Sequence, residues 1–350
     1  MSLPAFVIVL LATTFIFSYW LTGRVRRYAI TRLVDIPNSR SSHSNPTPRG
    51  GGLAIVVAFS VALCLWQWVV GMSDSLKWAL AGAAPVAAVG FWDDHGHVSA
   101  RLRISIHLLA AVWAVLWLGG AAQIAVNGSG VEVGHLGSIM AVVGIVWMLN
   151  LFNFMDGIDG IAGSEAVFVS GAGAALSWFS RDMGSQAPLL MFFSAACGGF
   201  LVRNWPPARI FMGDVGSGFV GFAIGVFILV SATREGLSLV VWLLLTAVFL
   251  VDSTYTLIKR VATGQRWAEA HRSHAYQHAA HYLGSHRIVT LAVWAINLCW
   301  LLPLAAAAVY WPKAELYLFA VGYLPLLILV QRFGAGEKNW PEVGRGDAGE

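Results

Sequence analysis

Residues 137–163 read GSIMAVVGIVWMLNLFNFMDGIDGIAG, a long apolar run that ends in two aspartates, Asp156 and Asp159. Crossing the hydrocarbon core of a bilayer takes about 20 apolar residues in a helix. Asp93, Asp94 and Asp214 also stand at the ends of apolar runs. An ionised carboxylate near hydrocarbon is costly unless something compensates it. We therefore expect membrane helices whose ends hold a cation, and we expect that cation to hold phosphate.

The composition of this 350-residue chain indicates a polytopic membrane protein. Only 11% of its residues are charged and 57% are hydrophobic, with a mean hydropathy of +0.69, whereas soluble domains are about a quarter charged. We predict an all-α bundle of about eleven transmembrane helices in a single domain over residues 1–333, with a disordered tail over 334–350. The predicted spans are roughly 3–22, 51–70, 76–92, 104–120, 137–153, 160–179, 188–202, 215–232, 237–258, 288–310 and 316–331.

The positions of lysine and arginine predict the orientation. With the N-terminus outside and the spans alternating, eighteen of the 22 basic residues fall on the inner side and four on the outer side. We therefore expect a periplasmic N-terminus, a cytoplasmic C-terminus and a cytoplasmic working face, because the longer polar loops lie there. The one long outer connection, 121–136, has Asn-Gly between β-prone residues and predicts a small hairpin.

Two acidic segments follow predicted spans. In GFWDDHGHVSARLRISIH, residues 90–107, Asp93 and Asp94 are adjacent, so a bound cation would relieve their repulsion. The alternative is a solvated loop pair. In NLFNFMDGIDGIAG, residues 150–163, two asparagines and two aspartates follow at intervals of three, which places Asn150 with Asn153, and Asp156 with Asp159, on shared helix faces. A capping aspartate would explain one carboxylate but not the asparagine pair.

A third segment combines a carboxylate, glycines and a helix start. In RNWPPARIFMGDVGSGFVG, residues 203–221, Asp214 precedes a Gly/Ser turn that opens the next span. These groups suit a metal–phosphate complex, and oxygen ligands favour Mg²⁺. The alternative is that Asp214 or Ser217 only caps the helix. Phe211 would be either a stacking ring or a packing residue.

Two loops carry positive or titratable groups. EAHRSHAYQHAAHYLGSHR, residues 269–287, holds five histidines. His274 and His278 are spaced for zinc, but the carboxylates of the other segments favour a hard cation instead. We therefore prefer the interpretation that histidine and arginine of this loop contact phosphate. NSRSSHSNPTPRGGG, residues 38–52, places His43 and Arg49 beside three glycines, although a loop that obeys the positive-inside rule would also explain it. Glu165 and Asp252 lie within predicted spans as either supporting or snorkelling carboxylates.

These five segments, taken in their order along the chain, resemble the polyprenyl-phosphate N-acetylhexosamine-1-phosphate transferases of glycosyltransferase family 4. The likeness covers about residues 35–287. It implies an integral membrane enzyme that transfers a sugar-1-phosphate from a UDP-N-acetylhexosamine to undecaprenyl phosphate and releases UMP. It also implies a need for Mg²⁺, with Mn²⁺ as a substitute.

The resemblance also implies roles for particular residues. Asp214, with Asp94 beside it, would bind the metal. Asp93 and Asp94 would lie near the lipid phosphate. The candidates for catalysis are Asp93, Asp94, Asp156, Asp159 and His274. The candidates for substrate binding are Asn150, Asn153, Asn204, Phe211, His43, Arg49 and Arg272.

Two departures from the family pattern bear on specificity. The branch that uses MurNAc-pentapeptide has three adjacent histidines in the last loop, where this chain reads HRSH over 271–274. That favours the O-antigen or enterobacterial-common-antigen type in a bacterial inner membrane, and in particular initiators that accept 6-deoxy-N-acetylhexosamines. The first loop has no lysine, so a phosphate contact there falls to His43 or Arg49.

The expected partners are the two substrates and the lipid bilayer, with no nucleic acid and with a homodimer left open. One rival is a CDP-alcohol phosphatidyltransferase, although DGIDGIAG matches that motif only partly. The other is an ion-coupled transporter, although transporters place their carboxylates near the middle of the bilayer.

Overall fold

A computed structural model describes residues 2–36, 45–179, 186–233, 236–265, 271–338 and 340. His43 lies outside these ranges, as does most of the predicted tail. The helices of the described residues are α1 (Leu3–Arg32), α2 (Leu53–Val69), α3 (Asp74–Ala81), α4 (Ala83–His95), α5 (Ala100–Trp117), α6 (Gly134–Met155), α7 (Ile161–Phe179), α8 (Ala187–Asn204), α9 (Asp214–Thr233), α10 (Leu239–Leu245), α11 (Ala247–Ala262), α12 (Ala275–Leu283), α13 (His286–Ile296), α14 (Leu302–Tyr310) and α15 (Glu315–Arg332).

The predicted all-α membrane architecture is confirmed. Every predicted apolar run coincides with one helix or with two consecutive helices. Over the described part of the chain, seven helical stretches are long and apolar enough to cross a membrane, or eight if α10 and α11, bent by 82°, form one span. The count of eleven spans and the orientation of the termini remain predictions.

Helix α9 is the centre of the bundle. In the apolar stretch that begins at Asp214, 94% of the residues are buried inside the protein. Helices α4 and α6 pack against it. Gly90 of α4 permits the close approach, because a Cβ at this position would lie 2.4 Å from the carbonyl oxygen of Asp214. The last turn of α4, which carries Asp93 and Asp94, is therefore held beside the first turn of α9.

The predicted hairpin between 121 and 136 is confirmed. Strands β3 (Gln123–Val126) and β4 (Ser129–Glu132) pair antiparallel. Asn127 and Gly128 form the turn with φ values of 54° and 74°, as a type I′ turn requires. A second, shorter ladder pairs β1 (Val34–Asp35) with β2 (Thr47–Pro48) at the base of the first long loop.

Candidate active site

The first loop lies along the segment that precedes α9. The backbone N–H of Phe211 donates to the carbonyl of Pro48 over 2.8 Å. The Gly51 N–H donates to the carbonyl of Phe211 over 2.9 Å, and the Gly52 N–H donates to the carbonyl of Met212 over 2.8 Å. The triple glycine is therefore a backbone-pairing segment, which joins two loops that are far apart in the sequence.

Asp94 caps α9 from a different helix. It is only 2% exposed, and its carboxylate accepts the backbone N–H groups of Asp214 at 3.0 Å and Val215 at 3.2 Å. Arg49 donates to the backbone carbonyl of Asp94 over 2.8 Å. Gly213 has φ +76°, and a Cβ there would lie 2.6 Å from the Asp94 carboxylate. Because both Asp94 oxygens bind backbone, Asp214 has the freer carboxylate of the two predicted metal ligands.

Arg103 bridges two of the acidic segments. It donates to Asp93 Oδ2 at 2.5 Å, and the same Nη1 lies 3.6 Å from Asp214 Oδ2. Asp93 also accepts the N–H of Val98 at 2.8 Å. Asn153 donates to the other Asp214 oxygen, which ties the end of α6 to the start of α9. Asp214 thus lies between a guanidinium and an amide while its side chain is still 28% exposed.

Asp156 and Asp159 have different surroundings. Asp159 is held through both oxygens, since Oδ1 lies 3.3 Å from His286 Nδ1 and Oδ2 accepts the N–H of Ala208 at 2.9 Å. Asp156 is half-buried and accepts no hydrogen bond from any described residue. Burial raises the pKa of Asp156 well above its ordinary value, and the nearby carboxylates of Asp214, Asp94 and Asp159 raise it further. Within the described part of the chain, the Asp156 carboxylate therefore has no positive partner.

The site has the donor set of a hard divalent cation. Within the described ranges no three His, Cys, Asp or Glu side chains stand together as a complete metal cage. Mg²⁺ does not need such a cage, because it usually takes one or two carboxylates and completes its shell with water and substrate phosphate. Those carboxylates could come from Asp156, for which the described residues provide no hydrogen-bond donor, and from the partly exposed Asp214.

The histidine loop is fixed by a carboxylate of α11. His274 is 3% exposed, and its Nδ1 lies 3.2 Å from Asp252 Oδ1. Asp252 also accepts the N–H groups of Ala275 and Tyr276, each at 3.0 Å, and the hydroxyl of Thr256 at 3.1 Å. Asp252 therefore both orients the His274 imidazole and caps α12, which is the supporting role that the sequence left open.

Further contacts connect the histidine loop to the acidic segments. The Tyr276 hydroxyl donates to the carbonyl of Phe154 over 2.9 Å. His271 stacks on His274 with ring centroids 5.0 Å apart. Burial, together with the neighbouring charges of His274 and Arg260, lowers the pKa of His271 to about 3. His271 is therefore a neutral ring at neutral pH.

Comparison with known proteins relates part of the chain to a known family. Residues 76–232, which include Asp93, Asp94, Asp156, Asp159 and Asp214, match the family model described as Glycosyl transferase family 4. The chain is similar to that family over this stretch, which covers a little under half of its length.

Several known proteins are similar to this chain along most of its length. It is 27% identical over 306 residues to the "Probable undecaprenyl-phosphate N-acetylglucosaminyl 1-phosphate transferase" of Bacillus subtilis, covering 84% of this chain and 81% of the relative. The "Decaprenyl-phosphate N-acetylglucosaminephosphotransferase" of Mycolicibacterium smegmatis is 28% identical, with 81% and 77% covered. The "Phospho-N-acetylmuramoyl-pentapeptide-transferase" of Acaryochloris marina is 29% identical, with 67% and 66% covered.

Several of the predicted substrate-binding residues lie beside the acidic cluster without joining it. The side-chain amide of Asn150 donates to the carbonyl of Val146 in its own helix over 2.7 Å. Asn204 is 2% exposed and donates to the carbonyl of Ile210 over 2.9 Å, so in the structure it braces the loop that leads to α9. Phe211 is half-buried, and its backbone pairs with the first loop. Arg272 is exposed.

The zinc alternative has no support in the geometry of the described histidines. His278 Nδ1 lies 2.8 Å from the carbonyl of Phe333, and the ring stacks on Trp340. His274 instead contacts Asp252. The two imidazoles that are spaced for zinc are thus engaged by different elements.

The sequence did not single out Arg103 and His286 as partners of particular aspartates. Arg103 follows Asp93 by ten residues across a helix break, and His286 follows Asp159 by 127 residues in sequence. A basic residue that follows the acidic pair was a visible signal for Arg103. No local pattern could have linked His286 to Asp159.

Proposed function

We propose that this protein transfers N-acetylhexosamine-1-phosphate from a UDP-sugar to a polyprenyl phosphate, specifically undecaprenyl phosphate, and releases UMP. The names of the relatives support the reaction class. The observation that carries the proposal is the Asp156 carboxylate, which has no hydrogen-bond donor among the described residues and whose pKa is raised by burial and by the charges of Asp214, Asp94 and Asp159. Neighbouring negative charges are stabilised by a bound cation, and two phosphate substrates need one between them.

Asp156 and Asp214 would hold Mg²⁺, which when bound neutralises the diphosphate and makes UMP a better leaving group. A lipid phosphate oxygen would form a bond to the β-phosphorus, and the bond from that phosphorus to the bridging oxygen of UMP would break. Arg103 lies between Asp93 and Asp214, so its guanidinium is placed to stabilise negative charge on the transferred group. His274, oriented by Asp252, would contact a phosphate or take up a proton.

We favour direct transfer over a phospho-aspartate intermediate. Asp93 and Asp94 are the acidic pair nearest the expected lipid phosphate, and their side chains are only 8% and 1% exposed. Asp93 bonds to Arg103 and Val98, while Asp94 bonds to the start of α9. A carboxylate with these bonds is a poor nucleophile, because attack on phosphorus would break them. Both aspartates would instead position the basic and metal-binding groups.

The apolar bundle and its basic loops support a cellular location for this reaction. We propose a bacterial inner membrane location with the site on the cytoplasmic face, because the basic residues concentrate in the loops that form it. The HRSH loop supports an O-antigen or enterobacterial-common-antigen type of donor over MurNAc-pentapeptide. A homodimer stays a prediction.

The test is a transfer assay with purified protein in detergent, undecaprenyl phosphate and a panel of UDP-N-acetylhexosamines. We expect equal amounts of UMP and lipid-linked diphospho-sugar, with loss of both in EDTA and recovery with Mg²⁺ or Mn²⁺. A parallel reaction with a CDP-alcohol donor serves as the control. CMP release there, or turnover unaffected by EDTA, would overturn the proposal.

A further inference from the structure

Glu165 and Asn297 form a polar pair inside the bundle, apart from the acidic cluster. Glu165 lies on α7 and Asn297 at the start of a π-helical segment, Asn297–Leu301, that follows α13. Each residue is 1% exposed. Asn297 Nδ2 donates to Glu165 Oε2 over 2.6 Å. No described lysine, arginine or histidine forms an ion pair with Glu165.

Each member of this pair has one side-chain oxygen with no hydrogen-bond partner among the described residues. These oxygens, Glu165 Oε1 and Asn297 Oδ1, are both buried. An ionised glutamate offers only acceptors, so it cannot satisfy the amide oxygen. Two orphaned acceptors and a buried, uncompensated negative charge would each be strongly unfavourable.

A single proton on Glu165 would remove both the unpaired acceptor oxygens and the buried negative charge. We propose that Glu165 is a neutral carboxylic acid whose Oε1 carries the proton and donates it to Asn297 Oδ1. The two side chains then form a reciprocal pair, in which the acid donates to the amide oxygen and the amide N–H donates to the acid carbonyl. Every polar atom of the pair is satisfied, and no charge remains in the apolar interior.

The Glu165–Asn297 hydrogen bond joins two segments that also meet at one of the site aspartates, Asp159. Thr290 on α13 donates to the backbone carbonyl of Asp159 over 2.9 Å, and His286 lies 3.3 Å from the Asp159 carboxylate. Asn297 begins the π-helical segment that continues α13 and follows Thr290 by seven residues, which is about two helical turns, so both residues lie on the same side of this helical stretch. Asp159 lies just before α7 begins at Ile161, and Glu165 follows Asp159 by six residues. The two contacts therefore fix the register of α7 against α13.

Glu165 is thus a positioning residue for Asp159, acting through the α7–α13 contact. The π-helical segment, where the backbone departs from α-helical geometry, presents Asn297 at this contact; such segments often occur at functional sites. The effect on transfer rests on the proposed function. The protonation state of Glu165 does not, because it follows from hydrogen bonding alone.

The test compares Glu165→Gln with Glu165→Ala in purified protein. Glutamine reproduces the neutral acid, since its amide N–H can donate to Asn297 Oδ1 and its oxygen can accept from Asn297 Nδ2. We expect E165Q to keep the melting temperature and transfer activity of the unmodified protein to within about twofold, and E165A to lose about tenfold in activity with a lower melting temperature.

Infrared difference spectroscopy measures the proton directly and needs no substrate. The unmodified protein minus E165Q should show the carbonyl stretching band of a protonated carboxylic acid at neutral pH. Asn297→Ala should lower the melting temperature as E165A does, and the double variant should lose little more than either single variant, because the pair is one unit.

Three results would overturn the inference. One is a carboxylate band in place of the acid band. Another is an E165Q variant as unstable as E165A. The third is additive loss in the double variant. If the acid band is present and transfer is absent in the unmodified protein, the proposed function fails while the neutral pair stands.

Discussion

At the scale of single residues, Asp156 and Asp159 are three positions apart, yet they differ in what surrounds them. Asp159 accepts a backbone N–H and lies beside an imidazole, so its charge is compensated within the protein. Asp156 lies among other carboxylates and has no donor among the described residues. Asp159 therefore has a structural role, whereas we propose that Asp156 binds a ligand.

Asp156→Asn and Asp159→Asn should therefore fail in different ways. The Asp156 change should reduce transfer by about 100-fold or more while leaving the melting temperature equal or higher, because it removes one of several repelling charges. The Asp159 change should lower the free energy of unfolding by about 1–3 kcal/mol, because it disrupts satisfied contacts. UMP release and thermal unfolding measure both effects. Similar stability losses in the two variants would contradict this distinction.

Asp214→Asn should also abolish transfer, with the protein still inserted and folded. Asp214 has the most exposed carboxylate of the Asp93, Asp94 and Asp214 group, so it is the natural partner of Asp156 in binding a metal ion. The expected readout is no UMP release at any Mg²⁺ concentration, with an unchanged elution profile in detergent. Near-normal turnover would remove the metal-site argument.

The Asp252–His274 contact gives a further prediction. Asp252→Asn should lower the transfer rate by about 10- to 100-fold, the usual effect of losing a partner that orients a functional imidazole. Thr256→Val is the matched control, since it removes only the hydroxyl that bonds to the same carboxylate. That control should retain most activity. Equal losses in the two variants would show that Asp252 acts only by stabilising the loop.

At the scale of elements, the site depends on how closely helices approach α9. Asp94 reaches the backbone of Asp214 and Val215 because α4 packs tightly on the first turn of α9. The three glycines of the first loop then pair with the segment that precedes α9. Three stretches distant in sequence thus meet at one helix N-terminus, where the helix dipole also favours a bound phosphate.

Gly90→Val should separate α4 from α9 and abolish transfer, because even a Cβ at this position would lie 2.4 Å from the Asp214 carbonyl oxygen. Gly144→Ala on α6 is the control, since a Cβ there meets nothing within 4 Å. Activity and melting temperature should fall in the first variant and stay near normal in the second. An active Gly90→Val protein would show that the approach of α4 to α9 is not required.

At the scale of the whole molecule, the acidic cluster and the β3–β4 hairpin lie at different ends of the bundle. The acidic cluster and the histidine loop form one end, where α4 and α6 finish and α9 and α12 begin. The hairpin β3–β4 lies where α5 ends and α6 begins. Its Asn127 N–H donates to Glu315, the first residue of α15. In the orientation predicted from the basic residues, the first end faces the cytoplasm and the hairpin faces the periplasm.

That orientation can be measured by cysteine labelling. In a background with Cys64, Cys197 and Cys299 replaced, a cysteine introduced at Ser129 should react with an impermeant maleimide in intact cells. A cysteine introduced at Arg272 should react only after the membrane is opened. Labelling of both from the same side, or of Arg272 alone in intact cells, would contradict the predicted topology.

The sequence by itself determined the elements and the hairpin, because both depend on local information. Runs of apolar residues form helices wherever no water is available to the backbone, and Asn-Gly supplies the positive φ values that a tight turn requires. It also determined that five aspartates lie at or next to helix ends, since each stands where an apolar run begins or ends.

Only the tertiary structure decided what each of these aspartates contacts. Asp94 caps a helix that begins 120 residues later, Asp159 meets His286, and Glu165 meets Asn297. Such contacts have no local signature, because they arise from the packing of helices distant in sequence. Contacts then separate chemically identical carboxylates: Asp94 and Asp159 bind donors within the protein, whereas Asp156 has no donor among the described residues, which is why we propose that it binds a cation.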